Sequence, residues 1–121
     1  MTNIQNLPLL SLSITIPNNG DFLDSFIFTD VDDVTPLDIS GIDFTCQVRA
    51  SSSSSGVRLN ASTANGLLVI IGTTQLGFSV PAAQLPSPGG YVFDIVATAD
   101  GLRRVVAQAT LIITQGVTAI Q

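Results

Sequence analysis

The chain has 121 residues, enough for one domain with a real core and too few for two. Hydrophobic residues make up 45% and charged residues 11%, with no Lys, Glu, His or Trp, so global disorder is excluded and most nucleophile–base chemistry has no base. A net charge of −5 carried by nine Asp against four Arg argues against a phosphate backbone as partner.

Leu7-Pro8-Leu9-Leu10 is apolar, and Pro8 keeps it extended, so residues 1–9 are expected to form an N-terminal arm that lies on a neighbouring subunit or pairs with a sheet edge. The alternative is that this stretch packs along its own domain as the start of the first strand. Leu10, Leu12, Ile14 and Ile16 alternate with Ser and Thr, the period of a half-buried strand. Pro17 and Asn18-Asn19-Gly20 end it. Phe22, Asp24, Phe26 and Phe28 then share a parity, with Asp24 breaking the face or lying near its edge.

Asp30 to Pro36 is a loop by composition. Its Asp30, Asp32 and Asp33 invite a calcium reading, but Thr35 stands where the twelve-residue loop needs Gly and Gly41 where it needs Glu. No bound metal and no other cofactor is expected. Ile42, Phe44, Cys46, Val48 and Ala50 alternate with Asp43, Thr45, Gln47 and Arg49 in the cleanest strand pattern of the chain. Cys46 lies on the apolar parity, opposite Arg49, and is expected to be a small core residue.

Ser51 to Ser55 and Gly56 form a low-complexity loop, followed by a short strand through Val57, Leu59 and Ala61. Asn60-Ala61-Ser62 matches a glycosylation sequon, to which no role is assigned. Asn65-Gly66 signals a hairpin, and Leu67 to Ile71 is apolar on both parities, as a strand buried on both faces would be. Leu76, Phe78 and Val80 alternate, and Pro81 to Leu85 suits one helical turn. Tyr91, Phe93, Ile95 and Ala97 restart the alternation, with Asp94 on the outward parity. Asp100-Gly101 turns the chain into Val105, Ala107, Ala109, Leu111 and Ile113.

Seven to eight antiparallel strands at this spacing predict an all-β, immunoglobulin-like β-sandwich over residues 10–121. Ile42, Phe44, Cys46, Val48, Tyr91, Phe93, Ile95, Leu111 and Ile113 are expected to face its core. The chain lacks the apolar run of a membrane span and the basic opening of a secretory signal, so no membrane insertion is expected and synthesis in the cytoplasm is. No catalytic residues and no small-molecule substrate are expected.

Pro36-Leu37-Asp38-Ile39-Ser40-Gly41, followed by Phe44 and a strand ending Gln47-Val48-Arg49, resembles a "P-x-D-L-T-G … R" segment of small phage tail domains. Gly90-Tyr91-Val92-Phe93-Asp94-Ile95 resembles their "G-x-Y-x-Y-D-L" strand, with Asp100-Gly101 in the hairpin after it. Leu12 to Asp30 is similar to their opening strands. The family is the immunoglobulin-like domain of phage upper baseplate and tail-fibre-attachment proteins, and the likeness runs from about residue 10 to 115. It implies a non-enzymatic virion component, made in the host cytoplasm, that acts as a protein–protein assembly module. Its partners would be further copies of itself and other virion proteins. The alternative is a small β-sandwich module that binds carbohydrate or a host surface.

Overall fold

The computed structural model describes residues 7–29, 35–51, 53 and 56–117. Among them, eight strands run in chain order: β1 (Leu10–Pro17), β2 (Ser25–Ile27), β3 (Asp43–Arg49), β4 (Val57–Ser62), β5 (Leu68–Ile71), β6 (Gln75–Phe78), β7 (Gly89–Ala99) and β8 (Leu102–Thr114). The 3-10 turn Ala82–Gln84 follows Pro81, and its Ala82 N–H donates to Asp21 Oδ1 at 2.9 Å. No described residue is in an α-helix.

The strands form two sheets, one ordered β1-β8-β7-β3-β4 and the other β2-β6-β5. An immunoglobulin sandwich sets strands B, E and D in one sheet and G, F and C in the other, with C′ added beside C in the variable type. Here β2, β6 and β5 take the places of B, E and D, and β8, β7, β3 and β4 those of G, F, C and C′. The fold is an immunoglobulin-like β-sandwich. One pairing departs from the all-antiparallel expectation: β1 runs parallel to β8, from Leu10 opposite Ala107 to Pro17 opposite Thr114.

A tyrosine corner marks the start of β7. The Tyr91 hydroxyl donates to the Ser87 carbonyl at 2.5 Å, tying the strand to the loop that feeds it. This is also why Tyr91, expected in the core, is only partly buried: its ring packs on the core edge while its hydroxyl must reach a partner. Two residues on, Phe93 meets Phe78 of the other sheet edge-on, with ring centroids 5.8 Å apart. Phe78 stacks on Phe22 at 4.3 Å, and Phe28, just past β2, stacks on Phe44 of β3 at 6.0 Å. Aromatic pairs thus join the layers of a sandwich whose single cysteine forms no disulfide. The other residues expected in the core (Ile42, Phe44, Cys46, Val48, Phe93, Ile95, Leu111 and Ile113) are buried as read.

The structure departs from the alternation in three places. In β8 the pairing steps from Ala107 opposite Ile95 to Val105 opposite Val96, leaving Val106 as an extra, bulged residue. The bulge resets the parity, so Val106 is fully buried and Val105 is exposed. In β5, Leu68 is buried but Ile71 is exposed, because β5 is the outer strand of the smaller sheet and only one of its faces meets the core. Finally, Asn65-Gly66 does not close a hairpin. It carries the chain from β4 in one sheet to β5 in the other. Asp100-Gly101 does close one: both residues have positive φ (53° and 77°), as a two-residue type I′ turn between Ala99 and Leu102 requires.

Candidate interaction surfaces

No polar or charged side chain among the described residues is fully buried, and no group of three metal-ligating side chains gathers there. Asp30, Asp32 and Asp33 lie outside the described residues. Among the described residues, no helix is long and apolar enough to cross a membrane.

The outer face of the five-stranded sheet is polar. Its central row runs across all five strands: Asn60, Gln47, Asp94, Gln108 and Ser11 stand opposite one another in register. In the next row Arg49 lies opposite Val92, which lies opposite Thr110, which lies opposite Ser13. Arg49 Nη2 donates to Gln47 Oε1 at 2.7 Å, so the guanidinium is held against the amide row. The middle of these rows, from Gln47 and Arg49 to Ser11, lines a shallow groove of about 560 Å³ with Asp94 and Arg49 as its charged groups. Asp94 is exposed here, on the outward parity expected of it. On the opposite face Cys46 is fully buried, and its thiol is pushed up to about 12 by loss of solvent first and by the Asp94 charge second. A thiol so held is inert as a nucleophile at neutral pH.

The outer face of the three-stranded sheet is apolar. Ile27 and Ile71 flank Gln75 in register, and Ser25 and Val69 flank Gly77. Leu23, Ile27 and Ile71 are 66%, 44% and 48% exposed. Gly77 has an identifiable role: a Cβ there would sit 3.0 Å from Ile71 Cδ1, so the bare backbone lets Ile71 lie across the middle strand. Gln75 Nε2 donates to Ser25 Oγ at 2.5 Å, turning its amide along the sheet and not into solvent.

The structure divides the four residues of the expected arm. Leu7 is buried in the chain's own core, and its carbonyl accepts from Arg104 Nε at 2.9 Å. Leu10 is the first residue of β1. Pro8 is half-buried, and Leu9 is 55% exposed. Residues 7–10 are thus anchored on their own sandwich, with Leu9 alone turned outward. No sequence signal pointed to this contact, because nothing in periodicity pairs two positions 97 apart.

Asn65, which the sequence marks only as a turn residue, is a hydrogen-bonding hub in the structure. Its side chain makes three hydrogen bonds: Oδ1 accepts from the Ser62 and Leu67 N–H groups at 2.9 and 3.0 Å, and Nδ2 donates to the Asn60 carbonyl at 2.9 Å. The Asn65 N–H adds a bond to Ser62 Oγ at 3.1 Å.

No protein-family model matches the chain. No curated protein matches it. Among solved structures, murine CRIg is similar at 18% identity and a TM-score of 0.40, over 85% of this chain and 92% of that one. The strand order and the tyrosine corner, not that loose overlay, establish the sandwich type.

Proposed function

We propose that this chain is a non-enzymatic structural component of a phage particle, in the tail, baseplate or fibre attachment, working as a protein–protein assembly module. The observation that carries the assembly reading is the apolar outer face of the three-stranded sheet, where Leu23, Ile27 and Ile71 stand exposed around the flat Gly77 position. Burying a fully exposed Leu or Ile gains about 1.5–3 kcal/mol, so covering these half-exposed side chains gains about half of that each, and the paired positions of the face (Ser25, Ile27, Val69, Ile71, Gln75 and Gly77) carry no charge to desolvate. The phage setting rests on the resemblance carried by Pro36 to Gly41 and Gly90 to Ile95. Tyr91 of the second stretch is the corner residue of β7, so the resembling motif falls on a fold-determining position.

The test has two arms. In solution, wild-type protein self-associates at tens of micromolar by light scattering, and Ile71→Asp weakens that association while leaving the circular dichroism spectrum unchanged. A wild-type monomer that binds no tail protein in pull-downs from purified particles sinks the assembly reading. In the particle, antibody labelling of purified virions decorates the tail or its tip; unlabelled virions overturn the placement.

The polar groove on the other sheet favours a second reading, binding of a carbohydrate or host surface, because amide and hydroxyl side chains suit sugar hydroxyls. A glycan array with Asp94→Ala as control tests it.

A further inference from the structure

We propose that the Asn65 carboxamide is a built-in strand cap that occupies the free edge of β4 and keeps the five-stranded sheet from adding the β4 strand of a second copy. This edge is distinct from the apolar face invoked above, and the proposal does not depend on that reading.

β4 is an outer strand, paired with β3 on one side only. A strand so placed presents alternate N–H and C=O groups to any passing strand. In antiparallel pairing, the groups of one residue point to the same side. The Thr63 N–H donates to the Phe44 carbonyl, so Thr63 and, two residues back, Ala61 point toward β3. Asn60 and Ser62 therefore point off the edge.

Those are the two residues whose backbone Asn65 occupies. Its Nδ2 donates to the Asn60 carbonyl and its Oδ1 accepts from the Ser62 N–H, both at 2.9 Å. One carboxamide thus supplies a donor and an acceptor to the same pair of groups that a neighbouring strand's peptide would use. The other open edges carry different protection. Pro8 and Pro17 bracket β1, and the two outer strands of the smaller sheet are short, three residues in β2 and four in β5. At the other end of β4, Arg58 is bulged out of register between Leu59, opposite Val48, and Val57, opposite Arg49. The bulge ends the regular edge at Arg58, and Asn65 covers what is left of it, Asn60 and Ser62.

With the cap removed, the best-matched strand is an identical β4 run antiparallel about a two-fold axis at Asn60. That axis closes the assembly at a dimer. It sets Asn60 opposite Asn60 and Arg58 opposite Ser62, so the two guanidinium groups are kept at opposite ends. The polar row Ser11–Gln108–Asp94–Gln47–Asn60 would then run unbroken across ten strands, with both cores on one side.

The experiment uses the full chain in an Ile71→Asp background, so that association through the apolar face does not enter. Light scattering at matched concentration should show Asn65→Ala shifted toward dimer by about tenfold in association constant, the scale of the 1.4 kcal/mol that one freed edge bond represents. Adding Asn60→Pro, which removes an N–H that points off the edge and not into the ladder, should return the protein to monomer. A folded Asn65→Ala that stays as monomeric as its parent overturns the proposal, as does a dimer that survives Asn60→Pro. Should Asn65→Ala fail to fold, Asn65→Asp decides, because it keeps the acceptor for Ser62 and Leu67 and loses only the donor to Asn60. Hydrogen exchange on the parent is a second check: the Ser62 amide should be protected, and exchange at the rate of an open chain overturns the cap.

Discussion

Cys46 shows how one buried residue sets a pH limit. Its thiol is fully enclosed and its pKa is raised from 9.0 to about 12, by desolvation first and by Asp94 second. The folded state therefore holds the neutral thiol, while the unfolded chain ionises near pH 9. The thiol contributes nothing pH-dependent below that value, and stability falls as pH rises from about 9 toward 12, because only the unfolded state gains by losing the proton. Urea melts at pH 8 and pH 10.5 should show the loss in wild type, and Cys46→Val should remove its thiol component. An unchanged slope in Cys46→Val would mean that the thiol is not the group responsible. The same burial predicts that a thiol reagent modifies Cys46 at the rate of unfolding and no faster.

Among the elements, β8 gives the sharpest test of register. A pure period of two puts Val105 inward, whereas the bulge at Val106 reverses the two valines. Val106→Ala should cost about 2 kcal/mol in chemical denaturation, from the methyl groups removed from a filled core. Val105→Ala, at an exposed position, should cost under about 0.5 kcal/mol. The reverse order would place the bulge elsewhere. The bulge lies four ladder pairs from the Asp100-Gly101 turn, immediately before Ala107, where the pairing of β8 with β1 begins.

At the scale of the whole molecule, stability rests on joining two sheets without a disulfide. Phe44 is the residue to remove, because it is fully buried in β3 and stacks on Phe28 from the β2 side. Phe44→Ala should cost about 3–5 kcal/mol, a large share of what a domain of this size has in total. Thermal and urea melts measure it; a loss under about 1 kcal/mol would mean that the sandwich closes around other contacts. A low charge density and a net charge of −5 leave little repulsion between copies, so edges and faces must carry the control of association themselves. That is the setting in which a strand cap at β4 and prolines around β1 make physical sense.

Local sequence specifies the strands whose one face meets the core over a clean period of two. Ile42 to Val48 and Tyr91 to Ala97 are legible because side-chain direction alternates regardless of what lies across the sheet. It also determined the Asp100-Gly101 turn, since two consecutive positive φ values restrict that position to few residue types. Features that depend on partners far along the chain are set by packing. Asn65-Gly66 carries the same local signal as Asp100-Gly101, yet it bridges two sheets, because turn chemistry specifies a reversal and not which sheet receives the next strand. Leu67 to Ile71 reads as doubly buried, yet lies at an edge, because apolar composition does not record whether a second layer covers the outer face. Leu7 reads equally as part of an arm or as the lead into the first strand, and packing chooses the second, because its place is set by the core and by Arg104, 97 residues away. Local propensity is written residue by residue; coverage, edges and sheet membership are properties of the packed whole.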